Sequence, residues 1–329
     1  MTIKRKKTKQ KKVFFSKNKA KKTYLIKAIA GLSLLVFLVL VAGFLAYHLL
    51  LRKQPVQPAP KKQIFKTPVF EIYHKPDKVL RKPDYKPKPL SKALPKVAII
   101  IDDIGYEHRV AEKFLSLDAV LSFSVFPHSP FQQRIIRKAQ AKGFEIMLHL
   151  PMEPNEYPEV NPGPDALLIS MSPDELIDQL NKHLDAVPSI KGVSNHMGSK
   201  MTSESPQMYQ IFSVLKQRRL FFVDSFTTPE SLCKPSARLL QIPFAQRDVF
   251  IDHLQEPDFI RRQIKELIRI AEIHGTAVGI AHPHEITYEV FREELPELQK
   301  KVRLVPASDV VQIIDQEAVR DILGQSRRQ

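Results

Sequence analysis

The sequence predicts an α/β fold, a (β/α) barrel of about seven strands, preceded by one transmembrane helix and a proline- and lysine-rich linker. Three observations carry that reading. Short β-branched runs alternate with amphipathic stretches from Lys96 onward, and strand–helix alternation implies a parallel sheet. Polar residues recur at nearly every strand's C-terminal end, which fits a closed or nearly closed barrel better than an open sheet. Ahead of that domain, residues 28–51 run without a Lys, Arg, Asp or Glu.

The apolar run comes first in the chain. As a helix rising ~1.5 Å per residue it would reach roughly 36 Å, enough to span a bilayer with some tilt. It is about twice the length of a signal-peptide core, and no A-x-A-like cleavage site follows it. Lysines crowd its N-terminal side, including Lys4, Lys6, Lys7 and Lys27. Positive-inside orientation therefore keeps residues 1–27 in the cytoplasm and places the C-terminal domain outside it, in the periplasmic or extracytoplasmic space. Residues 52–95 form a Pro/Lys-rich spacer with too few apolar groups to order itself.

The formal charge of +16 suggests a nucleic-acid binder until it is divided along the chain. Residues 1–96 hold 25 Lys/Arg against 3 acids, a net +22, so residues 97–329 carry −6. The folded part is mildly acidic, which argues against a phosphate-tracking surface, and no nucleic-acid partner is expected. The basic tail reads as topology signal and lipid attraction. The lone cysteine, Cys233, can form no internal disulfide. No specific protein partner follows from the sequence.

Within the domain, 96–329, strands are expected over 97–101, 120–126, 144–150, 192–195, 220–224, 249–251, 277–281 and 302–305. Helices are expected over 108–117, 130–142, 173–186, 206–217, 257–274 and 307–315. The strand ends then carry Asp102 and Asp103; His128; His149; His196; Asp224; Arg247 and Asp248; and His282 with His284. A single histidine after a strand is more often a hydrogen-bonded core or cap residue than a ligand. The convergence of several on the C-terminal face is what points to a site. Neutral imidazoles with carboxylates are the ligand set of zinc and its neighbours.

The first strand is the most specific element. VAIII is a fully buried strand, and two adjacent aspartates after it are costly unless something cationic balances them. One could coordinate a metal while the other accepts a proton; the bland alternative is a turn that caps the next helix. Gly105 lets the backbone turn immediately afterwards. His282 and His284 admit two readings: a metal pair if the strand continues through them, or a strand broken by Pro283 with His284 capping the next helix.

The stretches IIIDDIGY, HLPME, SNHMGS, FFVDSFT and GIAHPH, in this order over about residues 96–316, resemble the divergent polysaccharide deacetylase family, relatives of the NodB-like carbohydrate esterases. The resemblance implies a metal-dependent removal of N-acetyl groups from an acetylated glycan such as peptidoglycan. It implies Asp102 as catalytic base, Asp103 as metal ligand, His149 as second ligand, His282 as general acid and Asp224 as the acidic residue that orients the site. The family's His-x-x-x-His segment is matched by His149 to Glu153, so its second histidine is replaced by Glu153. Either Glu153 ligates, or His196 from the neighbouring strand end completes an Asp/His/His set; the softer set favours His196 and zinc. The family's Arg-containing segment has no counterpart around residues 195–200. Those departures leave a second function class open, a catalytically weak or inactive glycan-binding or scaffolding module. Such a module needs aromatic faces, for which Tyr106, Phe126, Tyr157, Phe226 and Phe244 are candidates.

Overall fold

The computed structural model describes residues 31–33, 35–45 and 93–314. The first two segments are helical and lie within the expected membrane span, most of whose flanks fall outside the described residues, as do the basic tail and nearly all of the linker. Among the described residues, no helix is long and apolar enough to cross a membrane.

Residues 93–314 build one parallel sheet of nine strands: β1 (Lys96–Ile104), β2 (Ser122–Val125), β3 (Glu145–Met152), β4 (Gly192–Met197), β5 (Phe221–Asp224), β6 (Phe244–Gln246), β7 (Val249–Phe250), β8 (Thr276–Ala281) and β9 (Arg303–Val305). The order along the sheet is β6-β5-β4-β3-β2-β1-β8-β7, with β9 also pairing with β1. The outer helices are α1 (Arg109–Phe114), α2 (Gln132–Ala141), α3 (Pro173–Ala186), α4 (Ser205–Gln217), α5 (Cys233–Leu240), α6 (Pro257–His274) and α7 (Glu285–Lys301).

The barrel expectation needs one correction. β6 and β7 stand at the two ends of the sheet path and share no ladder among the described residues, so the sheet is curled rather than closed by hydrogen bonds. The chain nevertheless passes from Gln246 to Val249 through only two residues, a reach of about 11 Å at most. The sheet ends must therefore approach each other at a seam, which the chain itself crosses.

Sequence and packing agree on why the elements form. β1 is buried almost throughout because it pairs on both sides and its residues alternate between two cores, Val97, Ile99 and Ile101 in one and Ala98 and Ile100 in the other. α3 starts at Ser172, whose hydroxyl accepts from the Glu175 N–H while the Glu175 carboxylate accepts from the Ser172 N–H, a reciprocal cap. α6 buries Ile260, Ile264, Leu267, Ile268 and Ala271, one helical face, and ends at Gly275 with φ 80°. Three elements lie outside the sequence reading: β6, α5 and α7. The helix expected over 307–315 is a single 3₁₀ turn, Ala307–Asp309, whose hydrogen bonds do not continue.

Candidate active site

Strand register brings the site together. Ile101 pairs with Phe123 and Ile104 with Val125, so Asp102 and Asp103 together face the single residue Ser124 on β2. This is a bulge, and Asp103 sits in it at φ 56°. A regular strand would point neighbouring carboxylates to opposite faces. The left-handed residue breaks that alternation and lets both reach one cavity, and aspartate tolerates this conformation better than most residues do. Two residues on, Gly105 has φ 129°, and a Cβ there would lie 1.9 Å from the Ser129 hydroxyl, so only glycine fits the exit.

On the other side of the cavity, β3 and β4 pair His149 with Ser194 and Pro151 with His196. The period of two puts both histidines on the inward face as diagonal neighbours. β8 supplies the last group: Ile101 pairs with Ala281, so His282, just past the end of its strand, lies level with Asp102 in β1. A small cavity is lined by Asp102, Asp103, His149, Asn195, His196, Ser225, Phe250 and His282. Phe126 packs against both histidines, with its ring centroid 4.9 Å from that of His149 and 4.8 Å from that of His196, edge to face in both cases.

Asp103 Oδ1 lies 3.0 Å from His149 Nε2 and 3.1 Å from His196 Nδ1, and those two nitrogens are 3.2 Å apart. Despite these short contacts Asp103 Oδ1 has no hydrogen-bonded partner, and neither has the buried His196 Nε2. One oxygen and two imidazole nitrogens at such mutual distances match the edges of a tetrahedral shell, which for ~2.0–2.1 Å bonds are roughly 3.3 Å. The donor set and its orphaned oxygen fit a divalent cation.

The electrostatics divide the two carboxylates. Burial pushes the Asp102 carboxyl up, with His149 and His282 opposing it. Burial would raise Asp103 as well, but the charge of His196 and close polar contacts with His149 and His196 hold it well below the usual carboxylate range. Burial lowers His196. For His149 burial is outweighed by Asp102, and the ring is raised. His282 is pushed up to about 10: burial opposes protonation, but the adjoining Asp252 charge and hydrogen bond prevail, helped by Asp103 and Asp102.

Asp252 is the functional residue that sequence reasoning missed. Its Oδ1 lies 2.9 Å from His282 Nδ1, while Oδ2 accepts from the His282 backbone N–H at 2.7 Å and from the Thr287 hydroxyl at 2.9 Å. Asp224, expected to orient the site, instead accepts from the Phe226 N–H and the Ser231 hydroxyl and shapes its own loop. Glu153 is also placed elsewhere. Its carboxylate accepts from the Ile169 N–H, and it is not in the ligand cluster. Arg247 donates to the Ser225 and Phe226 carbonyls and lies over Phe250, whose ring packs at 5.0 Å from His282. It therefore supports the wall without forming it.

β8 ends at Ala281, so His282 and His284 do not form a strand pair. His284 is the N-cap residue of α7, with its ring 5.9 Å from that of His282. Asp252, His282 and His284 are close enough to form a second ligand cluster, but both Asp252 oxygens are already committed to hydrogen bonds. Of the aromatic candidates for a sugar platform, Phe126 and Phe244 are buried in the domain, and Tyr157 is the most exposed.

The comparisons with known proteins agree with this geometry. Residues 99–311 match the model of the divergent polysaccharide deacetylases. The uncharacterized protein YibQ of Escherichia coli K12 is 32% identical over 216 residues, 66% of this chain and 67% of YibQ. An uncharacterized Haemophilus influenzae protein is 30% identical over 215 residues, 65% of this chain and 76% of that one. A crystal structure of an uncharacterized protein from Agrobacterium tumefaciens C58 superposes with a TM-score of 0.64 at 26% identity, covering 68% of this chain and 93% of that one. The strand-one aspartates, the cavity they enter and the match across most of the domain converge on one assignment: this chain belongs to the divergent polysaccharide deacetylase family.

Proposed function

We infer that the chain is a membrane-anchored, extracytoplasmic hydrolase that uses a divalent metal ion, zinc in this reading, to remove N-acetyl groups from a cell-envelope polysaccharide. One observation carries it. A ligand triangle of Asp103, His149 and His196 shares a small cavity with a carboxylate, Asp102, and with an imidazole, His282, locked by Asp252.

Bound by the triangle, the cation would supply Lewis acidity for the acetamide carbonyl and acidify a water molecule. The protein's own groups handle the protons. Asp102 accepts one from the water that adds to the carbonyl carbon. As the carbon–nitrogen bond breaks, His282 donates a proton from Nε2 to the leaving amine. Its Nδ1–H stays on Asp252, which keeps the ring oriented in both states and balances its charge while it is protonated. Amide cleavage depends on such an acid because an unprotonated amine is a poor leaving group. Burial of the whole set excludes bulk water and strengthens each of these interactions.

The test is acetate release by the full-length, zinc-loaded protein from peptidoglycan fragments, chitin oligomers or poly-N-acetylglucosamine. Binding of one of these glycans without acetate release would replace the enzyme with a binding module. Anchoring rests on the apolar run at 28–51 and the lysines before it. A reporter fused after Leu51 should lie outside the cytoplasm with the protein retained in the membrane, and a shortened soluble form cut near Tyr47 would make the segment a signal peptide instead.

A further inference from the structure

The geometry points to Ser194 as a positioning residue that fixes the His149 tautomer and ties the metal ligand to the base through one hydroxyl. This inference rests on the metal-centre reading above. Ser194 is fully buried on β4, directly across from His149. Its Oγ lies 2.9 Å from His149 Nδ1, 3.2 Å from Asp102 Oδ1 and 2.6 Å from Ser124 Oγ. A hydroxyl has one proton to donate and two lone pairs to accept with, so three partners use its whole capacity.

The direction of the chain then follows from its end. An ionised Asp102 can only accept, so the Ser194 proton points to Asp102. Ser194 therefore has no proton left for His149 and must accept from it, which places a proton on His149 Nδ1; the Ser124 hydroxyl, which also bonds Asp102, lies close enough to Ser194 for either of the two to donate. With Nδ1 protonated, His149 presents the lone pair of Nε2, the atom 3.0 Å from Asp103 Oδ1. Without Ser194, the acceptor left to a buried Nδ1–H is Asp102 Oδ1 at 3.5 Å, beyond good hydrogen-bond length, so the ring loses its preference against the opposite tautomer, whose Nε2–H cannot ligate. Outer-sphere partners of this kind are typically worth about 10- to 100-fold in metal affinity.

The test compares S194A with S124A in the full-length protein. Zinc affinity is read by chelator competition, and folding by the thermal unfolding midpoint in EDTA. S194A should bind zinc about 10- to 100-fold more weakly, whereas S124A, which leaves the His149 contact in place, should stay near wild type. Equal affinity of S194A and wild type, or equal losses in both variants, would overturn the assignment. A second measurement needs no variant. Ring nitrogen shifts of ¹⁵N-labelled His149 in the zinc-loaded protein should show Nδ1 protonated and Nε2 bound to the ion, and the reverse would refute it. A wild type that binds zinc but releases no acetate sinks the deacetylase reading and leaves this inference standing. A wild type that binds no divalent ion removes the metal centre and the inference together.

Discussion

Asp252 holds His282 at two points at once, one carboxylate oxygen on the ring nitrogen at 2.9 Å and the other on the backbone N–H at 2.7 Å. Such a grip fixes both where the ring sits and which nitrogen is left facing the cavity. It also links folding to pH. His282 is raised from 6.5 to about 10, chiefly by Asp252 against the effect of burial. The stabilisation is therefore fully present below about pH 6.5 and is lost as pH rises through about 10. In the metal-free protein, the difference in unfolding free energy between wild type and D252N should shrink across that window. Urea unfolding at pH 6, 8 and 10 checks it, and a constant difference would show that the pair is not coupled to folding.

Metal retention should discriminate between the two candidates for the third ligand. H196A removes a member of the triangle, and its zinc affinity should fall by more than the ~10- to 100-fold typical of losing an outer partner. E153Q should keep its metal and lose roughly 1 kcal/mol of stability, because the amide accepts from Ile169 N–H less strongly than the carboxylate. Metal analysis after dialysis reads both, and loss of metal from E153Q alone would move the ligand to Glu153.

Turnover variants separate proton removal from proton delivery. D102N keeps the shape of the base but cannot take a proton, so acetate release should vanish while zinc stays bound through Asp103. H282A should lower kcat by about 10²- to 10⁴-fold, the usual range for a general acid, with little change in KM. Steady-state kinetics on an N-acetylated oligosaccharide decides it; a D102N variant with wild-type turnover would assign the base elsewhere.

Asp224 should prove structural. In D224N the remaining oxygen can still accept from the Phe226 N–H while the amide donates to Ser231, so folding and turnover should stay near wild type. D224A should destabilise by about 1–3 kcal/mol through unsatisfied buried partners. Thermal unfolding and acetate release, measured together, check the pair. Activity lost in a well-folded D224N would restore the orienting role to this residue.

The parts of the site legible in the sequence were those announced by cost. VAIII followed by two aspartates cannot be buried cheaply, and that contradiction exposes Asp102 and Asp103. His149, His196 and His282 lie near or just past the C-terminal ends of strands whose apolar runs are plain. Asp252 was hidden because it follows a two-residue strand, Val249–Phe250, and its importance comes from a bond to an element thirty positions later. Ser194 is an ordinary serine until register places it beside His149. α7 carries buried Thr287, Val290, Phe291, Leu295 and Leu298 at helical spacing, but Pro296 inside it resembles a stop. α5 is eight residues long, too short for a periodic pattern to declare itself.

The pairing of β1 has a consequence for how the molecule comes into being. β1 opens the domain, and although β2 joins one side early, the partners for its other side are β8 and β9, the last strands made. Long-range closure of this kind is entropically slow and leaves the central strand half-paired until the end. His282 arrives with those final strands, so Asp102 and His282 meet only when nearly the whole chain is in place. Any product of interrupted synthesis or of clipping before β8 carries Asp102, Asp103, His149 and His196 and yet lacks His282. Incomplete molecules thereby lack one wall of the cavity, which is assembled only when the last strands are laid down.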